Sequence, residues 1–167
     1  MLKKGDKWFV SGDALMQDEL GYVFFRDRLG DTFRWRGENV STAEVEALIS
    51  KVIGLNSVVV YGVEVPGCEG RAGMAAIEDP DDVVDVAFLG KKLPEILPPY
   101  ARPMFLRIAK SVATTGTFKF QKTKLREEAL DLSVVTDTLF YLDVKSGEYR
   151  MFTKEISRKL EDGEMRF

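Results

Sequence analysis

Hydrophobic and polar positions alternate or cluster along this chain in short segments, and most of these segments indicate strands. Stretches rich in aromatic and β-branched residues, bounded by glycine, proline or acidic turns, are typical of strands. They occur at residues 22–26, 32–36, 56–65, 72–77 and 104–108, and again near the C-terminus at 139–143 and 149–152. The segment 56–65 is the most apolar of them, which predicts a strand buried on at least one face.

Other segments have the period of a helix. Ser41 followed by Glu44 is a capping box, which marks a helix N-terminus, and Gly54 is a natural end for that helix. Val45, Leu48, Ile49 and Val52 share one of its faces. Further helices are expected to begin in the acidic segment 79–82 and to follow residue 119, and a last amphipathic one spans 154–160.

The order of these elements predicts the fold class. Residues 8–11 and 22–26 would form a two-stranded ribbon, with Asp13 just beyond the first strand. The ribbon is followed by the order β-α-β-β-α-β, without the regular βαβ alternation of a nucleotide-binding sheet. We therefore expect an α+β fold in which a small mixed sheet is flanked by helices.

Composition excludes several classes of protein. The 167 residues have room for one domain, or for one domain with an appendage, and the net charge of −3 gives no support for nucleic-acid binding. No apolar run approaches the ~20 residues of a membrane-spanning helix. The chain has no histidine, which excludes histidine bases and histidine metal sites within it, and its single cysteine, Cys68, excludes an internal disulfide.

Asp13 and Arg28 are the first candidates for chemistry. An aspartate beyond a strand end can accept two hydrogen bonds from a vicinal diol such as a ribose. Arg28 follows past one hairpin turn, so both residues are placed to converge on a sugar-phosphate ligand. The alternative is a turn aspartate and a surface salt bridge that contributes little to stability.

The segment TTGTFK, which ends at Lys119, is the second candidate. Glycine and threonines permit close approach of the backbone to a ligand, and a terminal lysine offers a mobile positive charge for phosphate. It does not contain the GxxxxGK[ST] pattern of a Walker loop. Because Lys122, Lys124 and Arg126 follow, a solvated basic segment is the alternative reading.

Three stretches, in this order, resemble the C-terminal motifs of the adenylate-forming superfamily of acyl-CoA synthetases, peptide-synthetase adenylation domains and luciferase. They are FVSGDAL at 9–15, DRLGDTFRWRGENVSTAEVE at 27–46 and TTGTFKFQKTKL at 114–125. Within that superfamily, DTFRWRGENV, GCEGRAGMA and TGTFKFQK are similar to the very-long-chain acyl-CoA synthetase and fatty acid transport protein branch.

This resemblance implies an ATP-dependent fatty acid–CoA ligase that needs ATP with Mg, a fatty acid and CoA. The carboxylate would react with ATP to form an acyl-adenylate and pyrophosphate, and the CoA thiol would then displace AMP. By motif position, Asp13 would hold the ribose hydroxyls, Arg28 would assist at the ribose, and Gly37 would lie near the pantetheine. Gly30 occupies the hinge position, where many members have aspartate or lysine. Lys119 aligns with the catalytic lysine, and Lys122 is its rival because TGTFK departs from the commoner TxSGK.

The resemblance also implies a domain plan and a location. Residues 1–30 would be the tail of a large N-terminal domain with the hinge, 31–130 the C-terminal lid, and 131–167 an extension packed on the lid. Family members associate with the endoplasmic reticulum, plasma membrane or peroxisome at the cytosolic face, and we expect this chain alone to be soluble. The 167 residues include no Thr/Ser/Gly-rich phosphate loop. We therefore expect negligible ligase activity from the isolated chain. A non-catalytic interaction module or fragment that reuses the lid fold is the alternative.

Overall fold

A computed structural model describes residues 13–28, 32–54, 57–112, 122–165 and 167. Its strands are β1 (Asp13–Gln17), β2 (Val23–Arg28), β3 (Phe33–Trp35), β4 (Glu38–Val40), β5 (Val58–Val63), β6 (Ala72–Glu78), β7 (Phe105–Ala109), β8 (Thr138–Asp143) and β9 (Glu148–Met151). Its helices are α1 (Thr42–Ile53), α2 (Val86–Ile96), α3 (Lys122–Glu128) and α4 (Lys154–Glu161), with a 3₁₀ turn at Pro99–Ala101.

The core is built on a five-stranded sheet with the strand order β5-β6-β7-β8-β9. Strands β6 and β7 are parallel, and the other neighbouring pairs are antiparallel. Every residue of β5 is buried, so this strand is covered on both faces, as its continuous apolar sequence predicts. The α+β class with a small mixed sheet and flanking helices is thus confirmed.

The predicted N-cap of α1 forms, although of the two hydrogen bonds of a capping box only the one to the Ser41 side chain is present among the described residues. The Ser41 hydroxyl accepts a hydrogen bond from the Glu44 N–H at 3.4 Å, and Gly54 ends the helix in the left-handed conformation at φ 68°. Val45 and Ile49 are buried, and the helix packs on β5. Local sequence signals are sufficient for this element because both its ends and its apolar face are encoded within it.

The predicted start of the second helix is wrong. Asp79 is buried, and its carboxylate accepts hydrogen bonds from the backbone N–H groups of Val83 and Val84 at 2.9 and 3.0 Å. The acidic segment therefore stabilises a loop, in which Asp82 has the non-helical φ of 55°. Asp85 is the N-cap of α2 instead, and it accepts a hydrogen bond from the Phe88 N–H at 2.9 Å.

One strand prediction near the N-terminus also needs correction, and one short strand was missed. Asp13 is the first residue of β1, not a residue beyond a strand end, and the predicted strand at 8–11 lies outside the described residues. The strand predicted at 32–36 is observed as β3, but the chain turns at Gly37 and returns as β4, an antiparallel strand that was not predicted. A three-residue strand is too short to show a period in the sequence.

We predict that Gly70→Ala destabilises the fold far more than Gly67→Ala. Both glycines have a positive φ, 86° and 72°, so alanine is strained at either position. A Cβ at Gly70 would also collide with the Arg34 carbonyl oxygen, whereas a Cβ at Gly67 meets nothing within 4 Å. Urea unfolding should show a difference of about 1–3 kcal/mol between the variants. Equal losses would contradict this account of Gly70.

Candidate functional site

The ribbon brings the two candidate ribose residues opposite each other. Strands β1 and β2 are antiparallel, and Asp13 is the register partner of Arg28. The turn between the strands is held by Asp18, whose carboxylate accepts hydrogen bonds from the N–H groups of Leu20 and Tyr22 at 3.0 and 2.9 Å. The backbone therefore places the two residues at the same end of the ribbon. Their contact with a ribose remains a prediction.

The same ribbon exposes several large apolar side chains. Its large exposed side chains are Leu15, Met16, Leu20, Tyr22, Val23 and Phe24. Leu20, the most exposed, has 82% of its surface accessible. Clusters of exposed apolar side chains are a common feature of surfaces that contact further protein, a ligand or a membrane.

Gly37 lies at the tip of the β3–β4 hairpin, in a conformation that only glycine adopts without strain. Its φ is 85°, and the preceding Arg36 also has a positive φ of 51°. Trp35 is buried below the tip, and the Arg36 guanidinium lies 5.7 Å from the centre of the Trp35 ring. A Cβ at Gly37 would meet nothing within 4 Å, so the space above this backbone is open to a narrow ligand.

Lys119 and Gly30 both lie outside the described residues, so their predicted roles remain predictions. Lys122, the rival lysine, is the first residue of α3. Its amino group donates a hydrogen bond to the Thr42 hydroxyl at 3.0 Å and lies 3.0 Å from a Glu46 carboxylate oxygen. Sequence reasoning missed this contact because 80 positions separate Thr42 from Lys122 and no local pattern links them.

A second ionic cluster is centred on Arg107 in β7. Its guanidinium donates hydrogen bonds to the carboxylates of Asp137 at 2.6 Å and Glu128 at 2.7 Å. Burial of the guanidinium opposes its charge, but these two hydrogen bonds together with charge interactions with Tyr61 and Asp137 outweigh that effect, so the pKa of Arg107 is raised above its ordinary value. Burial likewise raises the pKa of the neighbouring Tyr61 hydroxyl, although Arg107 acts in the opposite direction. The cluster joins β7, α3 and the segment that leads into β8.

Neither a metal-binding cluster nor a membrane-spanning helix is found in the part of the chain that the structure describes. The described residues contain no group of three or more Cys, Asp or Glu side chains that is placed to hold a metal ion. Among the helices that the structure describes, none is long and apolar enough to cross a membrane.

Comparisons with known proteins define first a class and then a family. The fold matches part of a Mycobacterium tuberculosis fatty acyl CoA synthetase, with a TM-score of 0.61 and 31% identity, over 73% of this chain and 24% of that one. It also matches ATP-bound MatB from Rhodopseudomonas palustris, with a TM-score of 0.67 and 27% identity, over 77% of this chain and 26% of that one. This is the fold of a part of the adenylate-forming ligases.

The sequence comparison is more specific. The chain is 52% identical over 163 residues to human "Long-chain fatty acid transport protein 1", which covers 98% of this chain and 25% of the relative. The chain is therefore homologous to the long-chain fatty acid transport proteins and spans about a quarter of their length. The resemblance of the three motifs to the fatty acid transport protein branch is confirmed. No family model matches the chain.

Proposed function

We propose that this chain is the C-terminal portion of an ATP-dependent ligase that joins long- or very-long-chain fatty acids to CoA. The observation that carries the proposal is the 52% identity to a fatty acid transport protein over 98% of the chain. The matching fold of a fatty acyl CoA synthetase supports it. In the reaction, a fatty carboxylate oxygen attacks the α-phosphate of Mg-bound ATP and pyrophosphate leaves. The CoA thiol then attacks the acyl carbonyl and AMP leaves.

The residues of the three motifs take the roles that this chemistry requires. Asp13 accepts hydrogen bonds from the ribose hydroxyls, and Arg28, its register partner, assists there. Lys119 neutralises charge that develops on the α-phosphate, since phosphoryl-centre chemistry depends mostly on positioning and electrostatic stabilisation. Gly37 leaves room for the pantetheine at the hairpin tip. Gly30 is the hinge between the poses of the two half-reactions.

The domain plan is part of this proposal. Residues 1–30 end a large N-terminal domain, 31–130 form the lid, and 131–167 are an extension of the lid. The exposed apolar side chains of the ribbon support the first assignment, because they suit a surface that packs on more protein. The third is supported by β8, which pairs with β7 and so extends the lid sheet. Fatty acids partition into membranes, and the ligase is proposed to act at the cytosolic face of one.

A chimera tests the proposal directly. The 167 residues replace the matching quarter of human long-chain fatty acid transport protein 1, and formation of long-chain acyl-CoA is measured. We expect an active chimera, no activity when that quarter is deleted, and negligible activity from the isolated 167-residue chain. Acyl-CoA formation by the isolated chain would contradict the proposal.

The same chimera distinguishes the rival function, a non-catalytic interaction module. A module that has kept only the lid fold would give a folded chimera with no more activity than the deletion. The length of the native polypeptide, measured by intact mass, is the independent check. A product much longer than 167 residues favours the ligase, and one of that length favours the module.

A further inference from the structure

We propose that Lys122 is a positioning residue for the adenylation step. Its contact with α1 holds the start of α3, and α3 directly follows the segment that carries Lys119. The inference rests on the proposed function, in which Lys119 stabilises the charge on the α-phosphate. The role of Lys122 is distinct from that of Lys119, because the Lys122 amino group is directed at Thr42 and Glu46.

The contact has the properties of a structural anchor. The side chains of Lys122 and Glu46 are only 17% and 23% exposed, and Thr42 is fully buried. The same Glu46 oxygen accepts a hydrogen bond from the backbone N–H of Val60 at 2.8 Å. One carboxylate thus links α1, β5 and α3. Charge-assisted hydrogen bonds in a place of low exposure are stronger than exposed ion pairs.

Helix α3 depends on such contacts for its position. Among its described residues, 122–128, only Leu125 is buried. One buried side chain attaches these residues weakly to the core, so their other tertiary contacts contribute to where they lie. Lys122 attaches its first turn to α1, and Glu128 attaches its last turn to Arg107 of β7. The described part of the helix is therefore held at two points by ionic contacts to different elements.

The anchor limits where Lys119 can act. Lys119 precedes Lys122 by three positions in the sequence, a length of chain that spans at most about 11 Å. A fixed Lys122 therefore restricts the volume that the Lys119 amino group can reach. Electrostatic stabilisation of a transition state is sensitive to such restriction, since a misplacement of about 1 Å can reduce the rate by about 10²-fold.

The test compares Lys122→Met, Lys122→Arg and Glu46→Gln in the chimera with Lys119→Ala. Lys124→Met is the matched control, since Lys124 lies on the same helix with its side chain 65% exposed. We expect Lys122→Met to lower the kcat of adenylation by on the order of 10- to 100-fold, with little change in the KM for ATP. Glu46→Gln should lower the kcat of adenylation less, and Lys122→Arg should keep most of the rate because the positive charge is retained. In all three variants, thioester formation from supplied acyl-adenylate should be unchanged.

A second readout needs no activity. In the 167-residue chain, Lys122→Met should increase amide hydrogen exchange in residues 122–128 and leave the protection of β5 unchanged, whereas Lys124→Met should alter neither. Unchanged exchange in α3 would overturn the anchoring role.

The kinetic outcomes separate failure of this inference from failure of the proposed function. If Lys119→Ala leaves adenylation intact, the proposed role of Lys119 fails. If Lys119→Ala is inactive in adenylation but Lys122→Met and Glu46→Gln are as active as the unsubstituted chimera, only the positioning role of Lys122 fails. Equal losses in both half-reactions would mean a merely structural residue. Lys122→Met could also lose adenylation activity as completely as Lys119→Ala does, while Glu46→Gln keeps normal activity. That result would mean that Lys122 itself acts on the phosphate.

Discussion

The Lys119→Ala variant of the chimera is expected to lose adenylation activity by on the order of 10²- to 10³-fold. Removal of one group that stabilises charge in a closed active site has an effect of about this size. ATP–pyrophosphate exchange measures the adenylation step alone. The loss should appear in kcat rather than in the KM for ATP, because the interaction is made mainly in the transition state.

The second half-reaction provides the internal control. Thioester formation from supplied acyl-adenylate should continue in Lys119→Ala, since this step involves neither attack on the α-phosphate of ATP nor departure of pyrophosphate. Gly37→Leu should show the reverse pattern, because its side chain would fill the open space at the hairpin tip. Gly163→Leu is its matched control, with a similar positive φ of 73° and nothing within 4 Å. Equal loss in both half-reactions for Lys119→Ala would contradict its assigned role.

The Arg107→Met variant is expected to lower the free energy of unfolding by about 3 kcal/mol, measured by urea denaturation. Removing one partner of a buried ionic cluster leaves the others without compensation, which costs about 3–5 kcal/mol. We expect a loss at the lower end of this range, because the side chains of Glu128 and Asp137 are 18% and 21% exposed and water can partly solvate them.

Arg150→Met is the matched control for this loss. Arg150 also pairs with an aspartate, Asp143, at 3.2 Å, but its side chain is 54% exposed. Its substitution should therefore change stability by less than about 1 kcal/mol. Adding Glu128→Gln and Asp137→Asn to Arg107→Met should recover part of the loss, because no uncompensated charge remains. Equal effects of Arg107→Met and Arg150→Met would show that the cluster does not stabilise the fold.

The predictions from sequence succeeded where the information is local. The strands β5 and β6 have continuous apolar sequences, and α1 contains its own cap, apolar face and terminal glycine. The prediction failed for the start of α2, since an acidic segment can cap either a loop or a helix and Asp79 stabilises the loop. It also missed β4, whose three residues are too few to show a period.

For the candidate site, the residue types and motif spacing were sufficient to propose chemistry, but not to show which residues meet. The three motifs named the family, and the comparison with long-chain fatty acid transport proteins confirmed it. The register of the ribbon was needed to place Asp13 opposite Arg28. The choice between Lys119 and Lys122 acquired a physical argument only from the contact of Lys122 with Glu46.

The sequence by itself therefore determined the fold class, most strands and the first helix, and its motifs indicated the family. The strands and the helix follow from periodicity, capping or residue type within a short stretch of chain. Only the tertiary structure decided that Glu46 joins α1, β5 and α3, and that Arg107 joins β7, α3 and the start of β8. These contacts connect residues far apart in the sequence. Partial burial leaves these charged groups less water than they have in the unfolded chain, so the partners that the fold brings beside them compensate their charge.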